Sequence, residues 1–170
     1  MWDLNNVDWM AAEVPLPTEL GLAPGTTKLR YEPLGVCGVM GAWNFPFKVT
    51  LHPMVQNITA GNCSLVKPSE HSPNCSTVIK KLVEKYLDPD AIIVLEGEAD
   101  VAQAITALPL DLLCFTGSTE TGRMVALEAA KTLTPTVMEL GGKCPVIIDS
   151  DCEVEFAAKK LAVGKFLNAG

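Results

Sequence analysis

Short apolar segments alternate with longer amphipathic segments along most of the chain. The clearest amphipathic pattern runs from Val78 to Tyr86, where apolar residues recur at i, i+3 and i+4. Strands that alternate with helices in this way form parallel β-α-β units, with helices on both faces of the sheet. The sequence therefore predicts an α/β fold, a Rossmann-like doubly wound parallel sheet. The predicted strands are 36–42, 64–66, 91–95, 112–115, 137–140 and 145–148, and the predicted helices are 78–86, 99–108, 120–133 and 154–166.

The composition fits a globular protein and argues against two classes of partner. The 170 residues are 48% hydrophobic and 19% charged, which suits one domain with a substantial core. Twenty acidic and thirteen basic residues give a formal charge of −7, which disfavours nonspecific binding to nucleic acid. No apolar run approaches the roughly 20 residues that cross a bilayer, and the amino terminus lacks a secretory pattern. We expect a cytoplasmic location, with no nucleic-acid partner and no membrane segment.

The six cysteines are scattered through apolar runs and show no CxxC spacing. This arrangement favours free, buried thiols over a disulfide framework. The two histidines are His52 and His71, and only His71 lies near a cysteine, Cys75. Since a metal site needs clustered donors, we expect none.

Glu139 stands beside a glycine pair, with apolar residues on both sides. A carboxylate at the edge of a sheet, next to glycines that admit close backbone approach, is a candidate general base. A lone glutamate is more often an ordinary surface residue. The flanking Met138 and Leu140 favour a half-buried strand at this point.

The segment from Gly117 to Gly122 follows a predicted strand and opens a predicted helix. Backbone N–H groups at the start of such a helix could face a phosphate. The alternative is an ordinary helix cap by Ser118, which is the commoner use of a serine at this place.

Lys67 and Glu70 lie three residues apart at the end of the predicted strand 64–66. Open α/β sheets bind ligands at this carboxyl end of their strands. An amine and a carboxylate so placed can hydrogen-bond the vicinal hydroxyls of a ribose. The alternative is an exposed ion pair worth about 0 to 1 kcal/mol.

The segment from Trp43 to Pro46 follows the predicted strand 36–42, and its proline ends regular strand pairing. The residues could form a plain turn. In the functional interpretation, the Asn44 amide donates to a developing oxyanion, a type of donor whose loss costs about 3 to 4 kcal/mol of transition-state stabilisation.

Five motifs in a fixed order connect these observations. Together they resemble the cofactor-binding half of an NAD(P)-dependent aldehyde dehydrogenase, in particular the class 3 and fatty-aldehyde types. The motifs are Trp43–Pro46, Lys67–Glu70, Phe115–Thr119, Thr136–Lys143 and Gly164–Gly170.

The resemblance implies a domain organisation and a cofactor. Residues 1–27 would be an amino-terminal helix and connector, 28–140 the dinucleotide-binding domain, and 141–170 the first strand and helix of the catalytic domain. NAD is the first choice, because a carboxylate at Glu70 disfavours the 2′-phosphate of NADP, although NADP stays possible. The cofactor-binding residues that the resemblance implies are Trp43, Pro46, Lys67, Glu70, Gly117, Ser118, Gly122, Leu140 and Gly141.

The resemblance also implies a reaction. The complete enzyme would oxidise an aldehyde to a carboxylic acid through a cysteine thioester, with Asn44 holding the oxyanion and Glu139 activating water. In the family the nucleophilic cysteine follows the segment Gly164–Gly170, and none of the six cysteines occupies that position. We therefore expect a fragment that is inactive alone, from an enzyme that forms a homodimer and whose carboxyl terminus could carry a membrane anchor.

Three alternatives stay open. The first is a noncatalytic dinucleotide-binding fragment, and the second is a structural protein on the same fold. The third is an acylating dehydrogenase that passes its thioester to coenzyme A or phosphate. Glu139 argues against the third, because such enzymes need no base for water.

Overall fold

A computed structural model describes residues 2–169, and the side chains of residues 6–168. The chain forms two compact units, one that ends at Leu140 and one that begins at Gly141.

The first unit opens with helix α1, Trp2–Ala11. Two short strands follow, β1 (Val14–Leu16) and β2 (Thr27–Leu29), and they pair antiparallel. A 3₁₀ helix, Leu20–Leu22, lies between them. The sequence predicted the helix but only an irregular connector after it, because strands of three residues are too short to show a periodic pattern.

Five parallel strands form the main sheet, in the order β5-β4-β3-β6-β7. The order reverses between β3 and β6, which is the topology of the Rossmann fold. The prediction of a Rossmann-like, doubly wound α/β fold is confirmed. The strands are β3 (Val36–Met40), β4 (Cys63–Lys67), β5 (Ile92–Val94), β6 (Leu112–Thr116) and β7 (Thr136–Glu139).

Two hydrophobic clusters, one on each face of the sheet, hold four helices in place. The helices are α2 (Pro46–Thr59), α3 (Pro73–Tyr86), α4 (Ala99–Thr106) and α5 (Thr119–Ala129), the last of which continues into a 3₁₀ turn, Ala130–Thr132. On one face, Met54 and Ile79 of α2 and α3 pack with Val66 of β4. On the other face, Ile105 and Val125 of α4 and α5 pack with residues of β3 and β6. Burial of each large apolar side chain contributes about 1.5 to 3 kcal/mol.

Helix α2 was not predicted from the sequence. Its buried residues are Thr50, Met54 and Asn57, and two of these three are polar. A helix whose buried face is mostly polar gives no apolar pattern of helical period. Pro53 inside the segment also argues against a helix in the sequence, whereas Pro46 in the first turn is typical of a helix start.

In the second unit, helix α6 spans Val154–Phe166, as predicted. The predicted strand 145–148 is wrong, since residues 141–149 have no regular secondary structure. A strand needs a hydrogen-bonded neighbour, and within residues 2–169 no strand pairs with this segment. The apolar character of residues 145–148 alone therefore does not predict a strand. Nor are these apolar side chains all buried, since Ile147 is 96% exposed.

The packing of α3 gives the first testable prediction. Ile79 is 0% exposed and its neighbour Val78 is 45% exposed. We expect Ile79→Ala to lower the free energy of unfolding by about 2 to 5 kcal/mol, because it leaves a cavity in the cluster. The matched control Val78→Ala should change it by only about 0.5 kcal/mol.

Urea denaturation of both variants measures this difference. Equal losses in the two variants would show that α3 does not pack on the sheet through the face that carries Ile79.

Candidate functional site

Four strands end in one row at the carboxyl edge of the sheet. Met40, at the end of β3, pairs with Lys67 of β4 and with Phe115 of β6. Thr116 pairs with Glu139, at the end of β7. The fold thus brings the turns that follow these strands, and with them most of the predicted site residues, to the same edge. Ligands bind at this edge in open α/β sheets, near the point where the strand order reverses.

Lys67 and Glu70 form an ion pair at the end of β4. The Lys67 Nζ donates to Glu70 Oε2 at 2.8 Å and to the Pro68 carbonyl at 3.3 Å. The Lys67 side chain is 5% exposed and that of Glu70 is 34% exposed. This geometry differs from the exposed ion pair that was the alternative, because the ammonium is buried and would be costly without a partner.

Glu70 is ionised under ordinary conditions. Its partial burial raises the pKa of the carboxyl, but this effect is outweighed by the hydrogen bond from Lys67, a backbone hydrogen bond and the positive charges of Lys67 and His71. The pKa of Glu70 therefore lies below its ordinary value. The site presents one carboxylate and one ammonium, and their charges cancel.

The loop that carries Glu70 is fixed to the first turn of α3. The carbonyl of Ser69 accepts the hydroxyl of Ser76 at 2.8 Å and the backbone N–H of Ser72 at 3.2 Å. The backbone N–H of His71 donates to Ser69 Oγ at 3.2 Å. Ser69 is itself buried. These bonds hold the loop in one conformation, so the position of Glu70 is set before any ligand arrives.

Gly41, after β3, is a positioning residue that the sequence analysis missed. A Cβ at this position would lie 2.0 Å from Thr50 Oγ1 and 3.3 Å from Thr50 Cα. Only glycine therefore admits the close approach of α2 to the end of β3. The signal was a glycine between a strand and the Trp43–Pro46 segment, which is typical of the first turn of dinucleotide-binding folds.

The turn between Gly41 and α2 is open to solvent. Trp43 is 56% exposed, and Asn44 is also exposed. Pro46 is the first residue of α2 and is half-buried. These three predicted site residues thus occupy the edge beside Lys67, where a ligand can reach them, and their roles stay predictions.

Ser118 is the N-cap of α5. Its Oγ accepts the backbone N–H of Thr121 at 3.1 Å, and its hydroxyl donates to Thr121 Oγ1 at 2.9 Å. The cap interpretation of this serine is therefore correct in the structure. Contact between Ser118 and a phosphate stays a prediction.

Gly117 and Gly122 serve the packing of α5. A Cβ on Gly117 would lie 2.5 Å from the ring of Phe115, and one on Gly122 would lie 2.5 Å from Leu140 Cδ2. The backbone N–H of Gly117 also donates to the Glu139 carbonyl at 3.0 Å, which joins the ends of β6 and β7. Packing explains both glycines, and their predicted contact with a cofactor is not tested by these distances.

Glu139 ends the edge strand β7, where Val137 and Glu139 are exposed and Thr136 and Met138 are half-buried. The expectation of a half-buried strand is right, but the carboxylate itself faces solvent. Within residues 2–169, β7 pairs with β6 alone. Leu140 follows at the same edge and is exposed, whereas Gly141 belongs to the second unit.

All six cysteines are free, as predicted. Their predicted burial holds for Cys37 but is wrong for Cys63 and Cys144, which are exposed. Burial raises the pKa of the Cys37 thiol, helped by Cys114 and Asp111, and burial raises the pKa of Cys114. Both of these thiols are therefore poor nucleophiles.

Two kinds of feature are not found in the part of the chain that the structure describes. No group of three or more His, Cys, Asp or Glu side chains among these residues could hold a metal ion. No helix there is long and apolar enough to cross a membrane.

The fold and the site described above agree with the proteins to which this chain is similar. Residues 6–170 match the Aldehyde dehydrogenase family. The chain is 42% identical over 159 residues to Aldehyde dehydrogenase family 3 member H1 of Arabidopsis thaliana, covering 94% of this chain and 33% of that protein. It is 39% identical over 163 residues to a mouse protein named Aldehyde dehydrogenase, dimeric NADP-preferring, covering 96% of this chain and 36% of that protein.

A substrate-bound structure of Staphylococcus aureus AldH superposes with a TM-score of 0.93 at 34% identity, covering 99% of this chain and 37% of that one. The chain spans about a third of the length of the curated relatives described above. The family match extends over nearly every residue, and the fold agrees with it. The chain therefore belongs to the aldehyde dehydrogenase family.

Proposed function

We propose that the protein containing this chain oxidises an aldehyde to a carboxylic acid with a nicotinamide dinucleotide, and that this chain forms the cofactor-binding domain. The observation that carries the proposal is the ion pair between the buried Lys67 and the more exposed Glu70, at the carboxyl edge of a Rossmann-like sheet in a chain of this family. The cofactor, when bound, would accept the hydride that leaves the aldehyde carbon.

Lys67 and Glu70 suit the adenosine ribose. The ammonium can donate to a hydroxyl oxygen, while the carboxylate accepts the proton of a neighbouring hydroxyl. Because the pair is already held at 2.8 Å and its loop is fixed, little order has to be imposed when the ribose binds.

The charge of Glu70 favours NAD over NADP. The pKa of this carboxyl lies below its ordinary value, so it is ionised near neutral pH. An ionised carboxylate repels the 2′-phosphate that distinguishes NADP from NAD. NAD is therefore the proposed cofactor, and NADP is the alternative, since the mouse relative is named as NADP-preferring.

The other predicted residues are proposed to contact the cofactor or the substrate. Trp43 and Pro46 line the phosphate and adenosine side, Gly117, Ser118 and Gly122 lie by the pyrophosphate, and Leu140 and Gly141 lie near the nicotinamide. Asn44 donates its amide N–H to the oxyanion that forms on the aldehyde carbonyl. Glu139 takes a proton from the water that hydrolyses the thioester.

The assembly and location of the protein are also proposals. We propose a homodimer, supported by the word dimeric in the name of the mouse relative. We also propose a cytoplasmic location.

Removal of the buried ammonium tests the ribose assignment. We expect Lys67→Met in the natural protein to weaken NAD binding about 10- to 100-fold, because charge-assisted hydrogen bonds are lost. The control Lys81→Met makes the same charge change on the exposed side of α3 and should leave the Kd unchanged. Isothermal titration calorimetry measures both.

A second variant covers the case in which Lys67→Met does not fold. Glu70→Gln keeps the shape of the side chain and should weaken NAD more than NADP, since it removes the negative charge that strengthens the hydrogen bond to the ribose and that repels the 2′-phosphate. Equal loss of affinity for the two cofactors would contradict the ribose assignment.

The role of Glu139 is tested by kinetics. In Glu139→Gln we expect the first turnover, which reports hydride transfer, to be largely retained, while steady-state turnover falls about 10²- to 10⁴-fold. Stopped-flow absorbance of the reduced cofactor separates the two phases. The control Glu84→Gln changes an exposed carboxylate of α3 and should match the natural protein. Undiminished steady-state turnover in Glu139→Gln would remove this residue from the role of base.

A further inference from the structure

Ser76, in the first turn of α3, carries a hydroxyl to which the proposed function gives no role. The residue is only 4% exposed. Its Oγ donates to the Ser69 carbonyl at 2.8 Å and lies 3.1 Å from the Ser72 carbonyl. Because a hydroxyl has one proton to donate, the shorter contact is the main hydrogen bond. Ser76 thus reaches out of its helix to the loop that carries Glu70.

The Ser69 carbonyl belongs to the same peptide group as the N–H of Glu70. This peptide bond is trans, so its carbonyl and its N–H point in opposite directions. The carbonyl points to Ser76, and the N–H of Glu70 therefore points away from it. Burial raises the pKa of Glu70, whereas hydrogen bonds from Lys67 and from the backbone of Glu70 itself lower it. A single peptide group therefore links the Ser76 hydroxyl to the Glu70 carboxylate.

Lys67 alone does not fix the direction of this carboxylate. An ammonium is a compact point charge with three rotatable donors, so it pairs with a carboxylate in many orientations. Without the Ser76 hydroxyl, the Ser69 carbonyl would keep the backbone N–H of Ser72, at the longer distance of 3.2 Å. The loop would stay attached to α3, but the peptide group before Glu70 would be held less firmly.

We propose that Ser76 is a positioning residue, which acts through the Ser69 carbonyl to orient the Glu70 carboxylate toward the adenosine ribose and thereby contributes to a preference for NAD over NADP. Since its side chain is buried, Ser76 need not touch the cofactor. The inference rests on the proposed function, because it requires that Glu70 binds the ribose and opposes the 2′-phosphate.

The experiment measures the ratio of the Kd for NADP to the Kd for NAD by isothermal titration calorimetry, in the natural protein and its variants. We expect Ser76→Ala to weaken NAD about threefold to tenfold, as one lost hydrogen bond would, and to lower the ratio by a similar factor. The ratio falls because a less ordered Glu70 holds the ribose less well and opposes the 2′-phosphate less strongly. Ser76→Cys places a weak donor at the same position and should lower the ratio too, even if Ser76→Ala does not fold.

A neighbouring hydroxyl on the same helix supplies a matched control. Thr77 Oγ1 donates to Glu96 Oε1 at 2.7 Å, and Thr77→Val should leave the ratio unchanged. The double variant Ser76→Ala with Glu70→Gln tests the route of the effect. If Ser76 acts through the carboxylate, Ser76→Ala should change the ratio less than about twofold once the charge of Glu70 is gone.

Two results would overturn the inference while the proposed function stands. In the first, Glu70→Gln lowers the ratio but both Ser76 variants leave it unchanged. In the second, Ser76→Ala lowers the ratio equally with and without the Glu70 carboxylate, so that Ser76 does not act through Glu70. If the natural protein binds neither NAD nor NADP, the proposed function fails, and this inference fails with it.

Discussion

The parallel pairing of β3 with β4 on one side and β6 on the other is the constraint on which the rest of the unit depends. A parallel strand can be reached only by a crossover, and here the crossovers from β3 to β4 and from β6 to β7 contain helices on opposite faces of the sheet. The chain therefore leaves β3 and β6 in opposite directions at their carboxyl ends. This divergence creates the edge where the candidate site lies.

At that edge, the burial of the Lys67 ammonium sets the local chemistry. A buried charge requires a partner, and the Glu70 carboxylate supplies it from a loop that Ser69 and Ser76 hold in place. The same requirement makes the pair electrically neutral, so it can hydrogen-bond hydroxyls without attracting a further phosphate. In the proposed function, the preference for NAD over NADP is thus a consequence of the partner that the buried Lys67 requires.

The sequence predicted the parts of the fold whose cause is local. Strands β3 to β6 are apolar runs between helical patterns, and they were predicted with errors of one or two residues at their ends. Helix α2 could not be predicted, because its buried Thr50 and Asn57 remove the apolar period. The segment 145–148 was assigned wrongly because an apolar run is compatible with a strand but does not indicate whether a neighbouring strand is present to pair with it.

The same distinction applies to the site. The spacing of Lys67 and Glu70 after a strand allowed an ion pair, which the sequence analysis gave as the alternative to ribose binding and expected to be exposed. The burial of Lys67 depends on tertiary packing and was not predicted. The exposure of Glu139 depends on β7 lying at the edge of the sheet, and the order of strands is a property of tertiary structure. Gly41 was missed for a similar reason. A side chain at this position would collide with Thr50, which lies nine residues further along the chain.

Binding and chemistry are separable in this chain for a physical reason. The Lys67–Glu70 pair is held by contacts within the first unit, namely the ion pair itself and the hydrogen bonds of the loop to α3. Glu139 is exposed at that edge, so changing its side chain leaves the contacts of Lys67, Glu70 and Ser69 in place. A loss of turnover in Glu139→Gln without a loss of cofactor affinity is therefore informative about chemistry, because the Glu139 side chain makes no contact with the Lys67–Glu70 pair in the described hydrogen bonds and ion pairs.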